Sequence, residues 1–322
     1  MNNYSFLQQK LHSFALSSKL LREVSFDIEC SLFKEKYIID NHVFVAGLAR
    51  SGSTAILNAI HETKKFASLS YDDMPFVLSP NLWSLMSGHK KHSKKIERAH
   101  GDGILVSTES PEAFEEVFWK TFDEFDHESI IGFRKYVSLI LKKYKKTRYL
   151  SKNNQNIGRL NLISSIFPKS KILVPFRDPL QHSFSLLTQH KKFIKLARKD
   201  KFISDYMRLI GHTEFGNNYK PLFASDMNFN DDLSINHWLE QWSISYRYLA
   251  NIVDANKNIN FVCYERLCNS EETWKNILKN INIKYRNKFD FKMSVKNIDL
   301  ELDSKILEEC KDIYKNIIQL SL

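Results

Sequence analysis

The chain has 322 residues, 43% hydrophobic and 26% charged, with 47 Lys and Arg against 37 Asp and Glu for a formal charge of +10. This is a globular composition with apolar mass for a large core, and the basic balance favours anionic ligands such as nucleotides, nucleic acid, acidic glycans or lipid headgroups. No apolar run approaches the roughly 18 residues that a membrane-crossing helix needs, and the four scattered cysteines (Cys30, Cys263, Cys268, Cys310) lack zinc-site spacing.

From the N-terminus, residues 6–24 carry Leu7, Leu11, Phe14, Leu21 and Val24 at helical spacing, with Ser18 as a polar gap. The segment has no secretory-signal pattern, and a reduced cytoplasmic chain is expected. Residues 42–46 predict a strand and residues 54–60 a helix. Residues 66–71 predict a second strand, 111–122 a helix, 148–151 a short strand and 158–167 a helix. The double-lysine runs at 142–146 and 191–192 read as solvated helix faces. Residues 171–176 (Lys-Ile-Leu-Val-Pro-Phe) predict a buried strand. Asp178-Pro179 then supply an N-cap and a first-turn proline, so a long helix starts there. Residues 233–253 place Ile235, Trp238, Leu239, Trp242, Tyr246, Leu249 and Val253 on one helix face. A strand at 260–264 and a helix at 271–281 complete the alternation. Such alternation implies an α/β fold, a mainly parallel sheet covered by helices.

Two motifs carry chemistry. Gly47-Leu-Ala-Arg50-Ser51-Gly52-Ser53-Thr54 follows the first strand and precedes a helix. Its glycine spacing and Ser-Thr end match the phosphate-cradling pattern G-x-x-x-x-G-K-[ST], but Ser53 stands in place of the lysine and Arg50 brings a cation three positions earlier. The loop's N–H groups, the helix N-terminus and the Ser53 and Thr54 hydroxyls suit an anion. The second motif is Arg177 at the end of the 171–176 strand, with Ser185 eight residues later in the next helix. Ligands of α/β sheets bind at the strands' carboxyl ends, so this pair suits a second phosphate on one nucleotide.

Together the motifs resemble the sulfotransferase family that uses 3′-phosphoadenosine-5′-phosphosulfate (PAPS), and its bacterial branch in particular. Residues 49–54 are similar to that family's P-K/R-S-G-T/S-T loop for the 5′-phosphosulfate, and Arg177 with Ser185 to its 3′-phosphate site. Leu150-Ser151-Lys152-Asn153 resembles the family's lysine-bearing segment, Phe167-Pro168-Lys169-Ser170-Lys171 its next strand entry, and Tyr264-Glu265-Arg266-Leu267 its Y-E-D-L. The chain departs from the small-molecule members at Ala49, where they carry proline, and in lacking a late R-K-G-x-x-G sequence.

The resemblance implies a three-layer sandwich with a P-loop-like phosphate loop, in one domain over residues 1–322. Residues 1–40 would form an N-terminal helical extension, 195–232 a lid or insertion, and 285–322 a C-terminal helical segment. It implies PAPS as donor, adenosine 3′,5′-bisphosphate (PAP) as product, no metal, and a hydroxylated acceptor such as a glycan or small metabolite. Arg50, Ser51, Gly52, Ser53, Thr54, Arg177, Ser185 and Tyr264 would hold the nucleotide. Arg50 and Lys152 would stabilise the leaving bridging oxygen. The base is read as Asp73, from Tyr71-Asp72-Asp73-Met74-Pro75, with His100 as the competing candidate. Two rivals stand beside this reading. A nucleotide kinase would need a lysine at Ser53 and an aspartate for Mg²⁺. A nucleic-acid-binding protein would need a recognition signature, and none is found. Contact with a membrane surface and the oligomeric state stay open.

Overall fold

Four short strands, β1 (Val43–Val45), β4 (Leu150–Lys152), β5 (Lys171–Phe176) and β6 (Ile259–Cys263), pair in parallel in the order β4-β1-β5-β6. Val43 stands opposite both Leu150 and Lys171, and Phe176 opposite Cys263. The computed structural model describes residues 6–33, 40–87, 96–97, 105–106, 109–112, 114–122, 127–253, 255–285 and 288–322. Two further strands, β2 (Ile96–Glu97) and β3 (Leu105–Val106), form a separate antiparallel pair.

Strand side chains alternate between faces, and the two faces bury different helices. Phe44, Ile172, Val174, Phe176 and Phe261 join one core cluster, with residues of α6 (His127–Tyr144), α8 (Pro179–Lys199), α10 (Ile235–Val253) and α13 (Ser304–Gln319). Val43, Val45, Leu150, Leu173 and Val262 join the other, with Ile56, Leu57 and Ile60 of α3 (Ser53–His61) and Trp274 and Ile277 of α12 (Glu271–Asn280). The result is the expected α/β three-layer sandwich. The remaining helices are α1 (Phe6–Ser17), α2 (Lys19–Leu32), α4 (Pro80–Ser87), α5 (Glu116–Trp119), α7 (Leu160–Ile166), α9 (Lys201–Leu209) and α11 (Tyr264–Asn269). No helix among the described residues is long and apolar enough to cross a membrane.

Most predicted elements stand within two residues of their expected bounds, and the departures have local causes. The N-terminal helix is two helices, because Ser18 leaves the helical region and its side chain accepts the Leu21 N–H at 3.2 Å. Residues 66–71 do not form a strand of the ladder. Ala67 exchanges two hydrogen bonds with the segment entering β4, then Ser70 bridges antiparallel to Pro111 and caps a 3₁₀ turn (Tyr71–Asp73). Among the described residues of 111–122 only the one-turn α5 is helical, since Pro111 is committed to that bridge. Residues 158–167 begin in a 3₁₀ turn (Asn154–Arg159) before α7. α6 has no counterpart among the expected elements, and Phe133, Tyr136, Val137, Ile140 and Leu141 form its buried stripe.

Residues 195–232 comprise the end of α8, α9 and two 3₁₀ turns (Gly216–Asn218, Ala224–Asp226). They are tied down by α10: Glu240 accepts from the Asn228 and Phe229 backbone N–H groups at 2.9 and 2.7 Å, and Gln241 donates to the Leu222 carbonyl at 3.0 Å.

Candidate active site

The loop after β1 is shaped by contacts on both sides. A Cβ on Gly47 would lie 2.8 Å from the Pro175 carbonyl oxygen, so only glycine lets the loop pass this close to β5. Gly52 has φ 95°, and a Cβ there would lie 2.2 Å from the Tyr264 ring. It is also the N-cap of α3, and no side chain caps that helix. The N-terminal N–H groups of α3 and the positive end of its dipole therefore face the loop's ligand position.

Arg50 adopts φ 68°, the left-handed region, which costs an ordinary residue on the order of 1–2 kcal/mol. Its neighbours hold it there. The Ser51 N–H bonds the Leu48 carbonyl at 3.3 Å, and Arg177 Nη1 donates to the Arg50 carbonyl at 3.4 Å. His182 Nε2 meets the Ala49 carbonyl at 2.8 Å. Burial pushes the His182 pKa down to about 3, so its imidazole is neutral and that nitrogen carries the donated hydrogen. His182 braces the loop from behind.

The second motif meets the first. Asp178 accepts the Gln181 N–H at 2.9 Å and caps α8, with Pro179 in its first turn. Glu265 accepts the Asp178 N–H at 2.9 Å, so the Tyr264-Glu265 segment fixes the exit from β5. α8 then carries Ser185 to 3.2 Å from Arg50 Nε, which donates to its hydroxyl. Arg177 lies 5.8 Å from the Tyr264 ring centroid, and its Nη2 donates to the Ser294 carbonyl at 3.2 Å. Its Nε is buried without a hydrogen-bond partner, an open donor at the mouth of β5.

A cavity of about 550 Å³ opens at this carboxyl edge of the sheet. Arg50, Gly52, Ser53, Thr54, Lys152, Arg177 and Tyr264 all line it. Lys152, at the end of β4, is only 8% exposed. Ser185 reaches the cavity only through Arg50. Ser51 does not line it: its buried hydroxyl lies behind the loop, facing Gly47, without a hydrogen-bond partner.

Asp73 is not placed as an acceptor base. It is fully buried and does not line the cavity. Lys143 forms an ion pair with its Oδ1, while Oδ2 accepts from the Ser70 N–H at 2.7 Å and the Tyr144 hydroxyl at 2.6 Å. Asp73 closes a capping box on the 3₁₀ turn before Pro75. Asp72 does not line the cavity either. His100, with the surrounding 98–104, lies outside the described residues.

The cavity also recruits residues that sequence reasoning passed over. Glu112, Asn154, Met207, His212 and Phe215 line it, as do Phe291, Lys292 and Ser294 from an irregular stretch before α13. That stretch is strapped to the site. Tyr264 Oη donates to the Lys292 carbonyl at 3.2 Å, and the Gln181 amide exchanges two 2.9 Å hydrogen bonds with the Lys296 backbone. A Phe-Asp-Phe-Lys run was the available signal, but nothing local says what it covers.

A model of the sulfotransferase family matches residues 42–209, from β1 through both motifs to α9. The chain belongs to the sulfotransferase family. No curated protein matches the sequence. Among solved structures, this sulfotransferase is similar to the sulfotransferase STF1 from Mycobacterium tuberculosis, with TM-score 0.51 and 12% identity over 98% of this chain and 87% of that one. It is also similar to the sulfotransferase STF9 from Mycobacterium avium, with TM-score 0.51 and 10% identity over 96% of this chain and 76% of that one. At such identities the likeness is one of fold.

Proposed function

We propose that this sulfotransferase moves the sulfuryl group of PAPS to a hydroxyl of a glycan or other hydroxylated metabolite by in-line displacement, and releases PAP. One observation carries the donor assignment. Arg50, from the loop after β1, and Ser185, from the helix after Arg177, lie within hydrogen-bonding distance beside the uncapped N-terminus of α3. A nucleotide with phosphates at both the 5′ and 3′ positions engages both motifs at once, whereas a kinase substrate leaves Arg177 and Ser185 without a role.

In this reading the α3 N-terminus with Ser53 and Thr54 holds the 5′-phosphosulfate, and Arg177 holds the 3′-phosphate, with Ser185 behind it through its hydrogen bond from Arg50. Gly52 lets Tyr264 close against the loop, where its ring takes the adenine. Arg50 and Lys152 meet the charge that grows on the bridging oxygen as it leaves, and they act as electrostatic stabilisers. Residues 195–232 cover the acceptor: Met207, His212 and Phe215 come from this segment.

Isothermal titration tests the assignment. PAP is expected to bind without Mg²⁺. Binding of ATP only with Mg²⁺, or of oligonucleotides only, would overturn it in favour of phosphoryl transfer or nucleic-acid recognition.

A further inference from the structure

The acceptor hydroxyl must lose a proton, and the carboxylate of Asp73 is engaged elsewhere. We propose that Glu112 is the catalytic base of this sulfotransferase, a reading that rests on PAPS as the donor.

Five carboxylates line the cavity among the described residues: Glu62, Glu109, Glu112, Glu214 and Asp290. Glu62, Glu109 and Asp290 are exposed, and half-buried Glu214 accepts the Asn154 amide at 2.9 Å. Glu112 alone of the five is buried, at 8% exposure. Burial also keeps bulk water from competing with the acceptor hydroxyl for this carboxylate. Of the histidines in the lining, His61 ends α3, eight residues beyond Ser53 and so roughly 12 Å along the helix from the phosphate loop. Burial, then Lys64 and Lys146, hold it down to about 4.

Glu112 is also held in place. Its N–H bonds the Leu69 carbonyl at 3.0 Å, and Pro111 bridges antiparallel to Ser70. Tyr71 Oη donates to Glu112 Oε2 at 2.9 Å, and the Tyr71 ring packs edge-on against Phe114 with centroids 5.4 Å apart. Ser70 and Tyr71 belong to the turn that Asp73 caps. Asp73 thus acts at one remove: it secures the turn against which Glu112 is set. Tyr71 is a positioning residue for the Glu112 carboxylate.

In the step itself the acceptor oxygen forms its bond to sulfur while its proton passes to a Glu112 carboxylate oxygen. The bond between sulfur and the 5′-phosphate oxygen breaks, and its electron pair leaves with PAP. Glu112 returns the proton to solvent after release.

The test uses the full chain with ³⁵S-labelled PAPS and three acceptors of falling acidity: p-nitrophenol at a pH where it is already ionised, phenol, and water. Glu112→Gln keeps the shape and loses the base. It is expected to bind PAP as wild type does and to lose about 10²–10⁴-fold in kcat with phenol and water, but less than tenfold with ionised p-nitrophenol, which has no proton to give up. Tyr71→Phe is expected to lose roughly tenfold in kcat with phenol at unchanged donor KM. Equal losses with all three acceptors would overturn the proposal. So would a fully active Glu112→Gln alongside an inactive His212→Asn, which would move the role to His212. Failure of wild type itself to bind PAP is a separate result and strikes the donor assignment instead.

Discussion

Two groups of residues line one cavity, and they are built differently. The first follows β1 and β5. Its residues sit on loops locked between a strand end and a helix start, and in each lock the loop contributes backbone: Gly47 against Pro175, Gly52 under the Tyr264 ring, the Arg50 carbonyl beneath Arg177. The second comes from 109–112 and 207–215, where few regular elements help. There the chain is held by side chains reaching across it, such as Asp73 to Lys143 and Tyr71 to Glu112. Anion binding at a helix N-terminus needs only backbone, so a short motif encodes it. A base needs a chosen side chain in a chosen environment, and here distant segments create that environment.

The largest effect expected from this contrast is on stability. Asp73→Asn leaves the Lys143 ammonium, 14% exposed, without its anion. Removal of one partner of a buried pair destabilises by about 3–5 kcal/mol. Urea unfolding should show that loss, while PAP affinity of the folded fraction stays near wild type. A stable Asp73→Asn that binds PAP and has lost turnover would return Asp73 to the chemistry.

Arg177→Ala should do the reverse. If Arg177 holds the 3′-phosphate as proposed, the variant loses a charge-assisted contact of roughly 1.5–3 kcal/mol, or about 10–100-fold in PAP affinity. Titration with AMP, which lacks that phosphate, should show little change. An equal loss for AMP and PAP would place Arg177 elsewhere on the nucleotide.

Acid should weaken the scaffold around the first group. His42 and His182 are both buried, and burial depresses both from 6.5 to about 3. Their folded pKa values lie below the unfolded one, so between pH 6.5 and 3 the unfolded chain binds more protons. Their contribution is intact above pH 6.5 and falls by about 1.4 kcal/mol per pH unit per histidine below it. Urea midpoints at pH 7.5 and 5.5 measure the slope, and His182→Gln should flatten it by one histidine's share.

The smallest effect concerns the strap over Arg177. Gln181→Ala removes two hydrogen bonds to the Lys296 backbone, with about 1 kcal/mol net for each at most. Several-fold faster PAP release in stopped flow is expected, with at most a small drop in thermal stability. A change in stability alone would make the strap a structural tether.

Much of the fold was legible because its signals are local. β5 stands at its predicted bounds, α8 begins at Pro179 with Asp178 as its cap, and α10 buries its predicted aromatic stripe. Residues 66–71 depart from the expected strand because a β-like run pairs only where a neighbour lies beside it, and among the described residues it makes two isolated bridges. The environment of Asp73 lies beyond a local window for a related reason. Its neighbours in sequence suit a catalytic carboxylate, but Lys143 and Tyr144 sit 70 and 71 residues away on α6, a helix that the sequence reading had not assigned.

Local signals in the chain were enough for the strand–loop–helix with its open helix N-terminus and for the arginine at the end of β5, because glycine spacing, capping and hydrophobic period act within a few residues. They determined in that way the family to which the chain belongs. Packing across the chain set the rest: that Arg50 and Ser185 meet, that Asp73 caps a turn, that Glu112 is the buried carboxylate of the cavity among the described residues, and that residues 292–296 strap its rim. Each of these depends on burial and on partners brought together across the chain, and no short window of residues contains them.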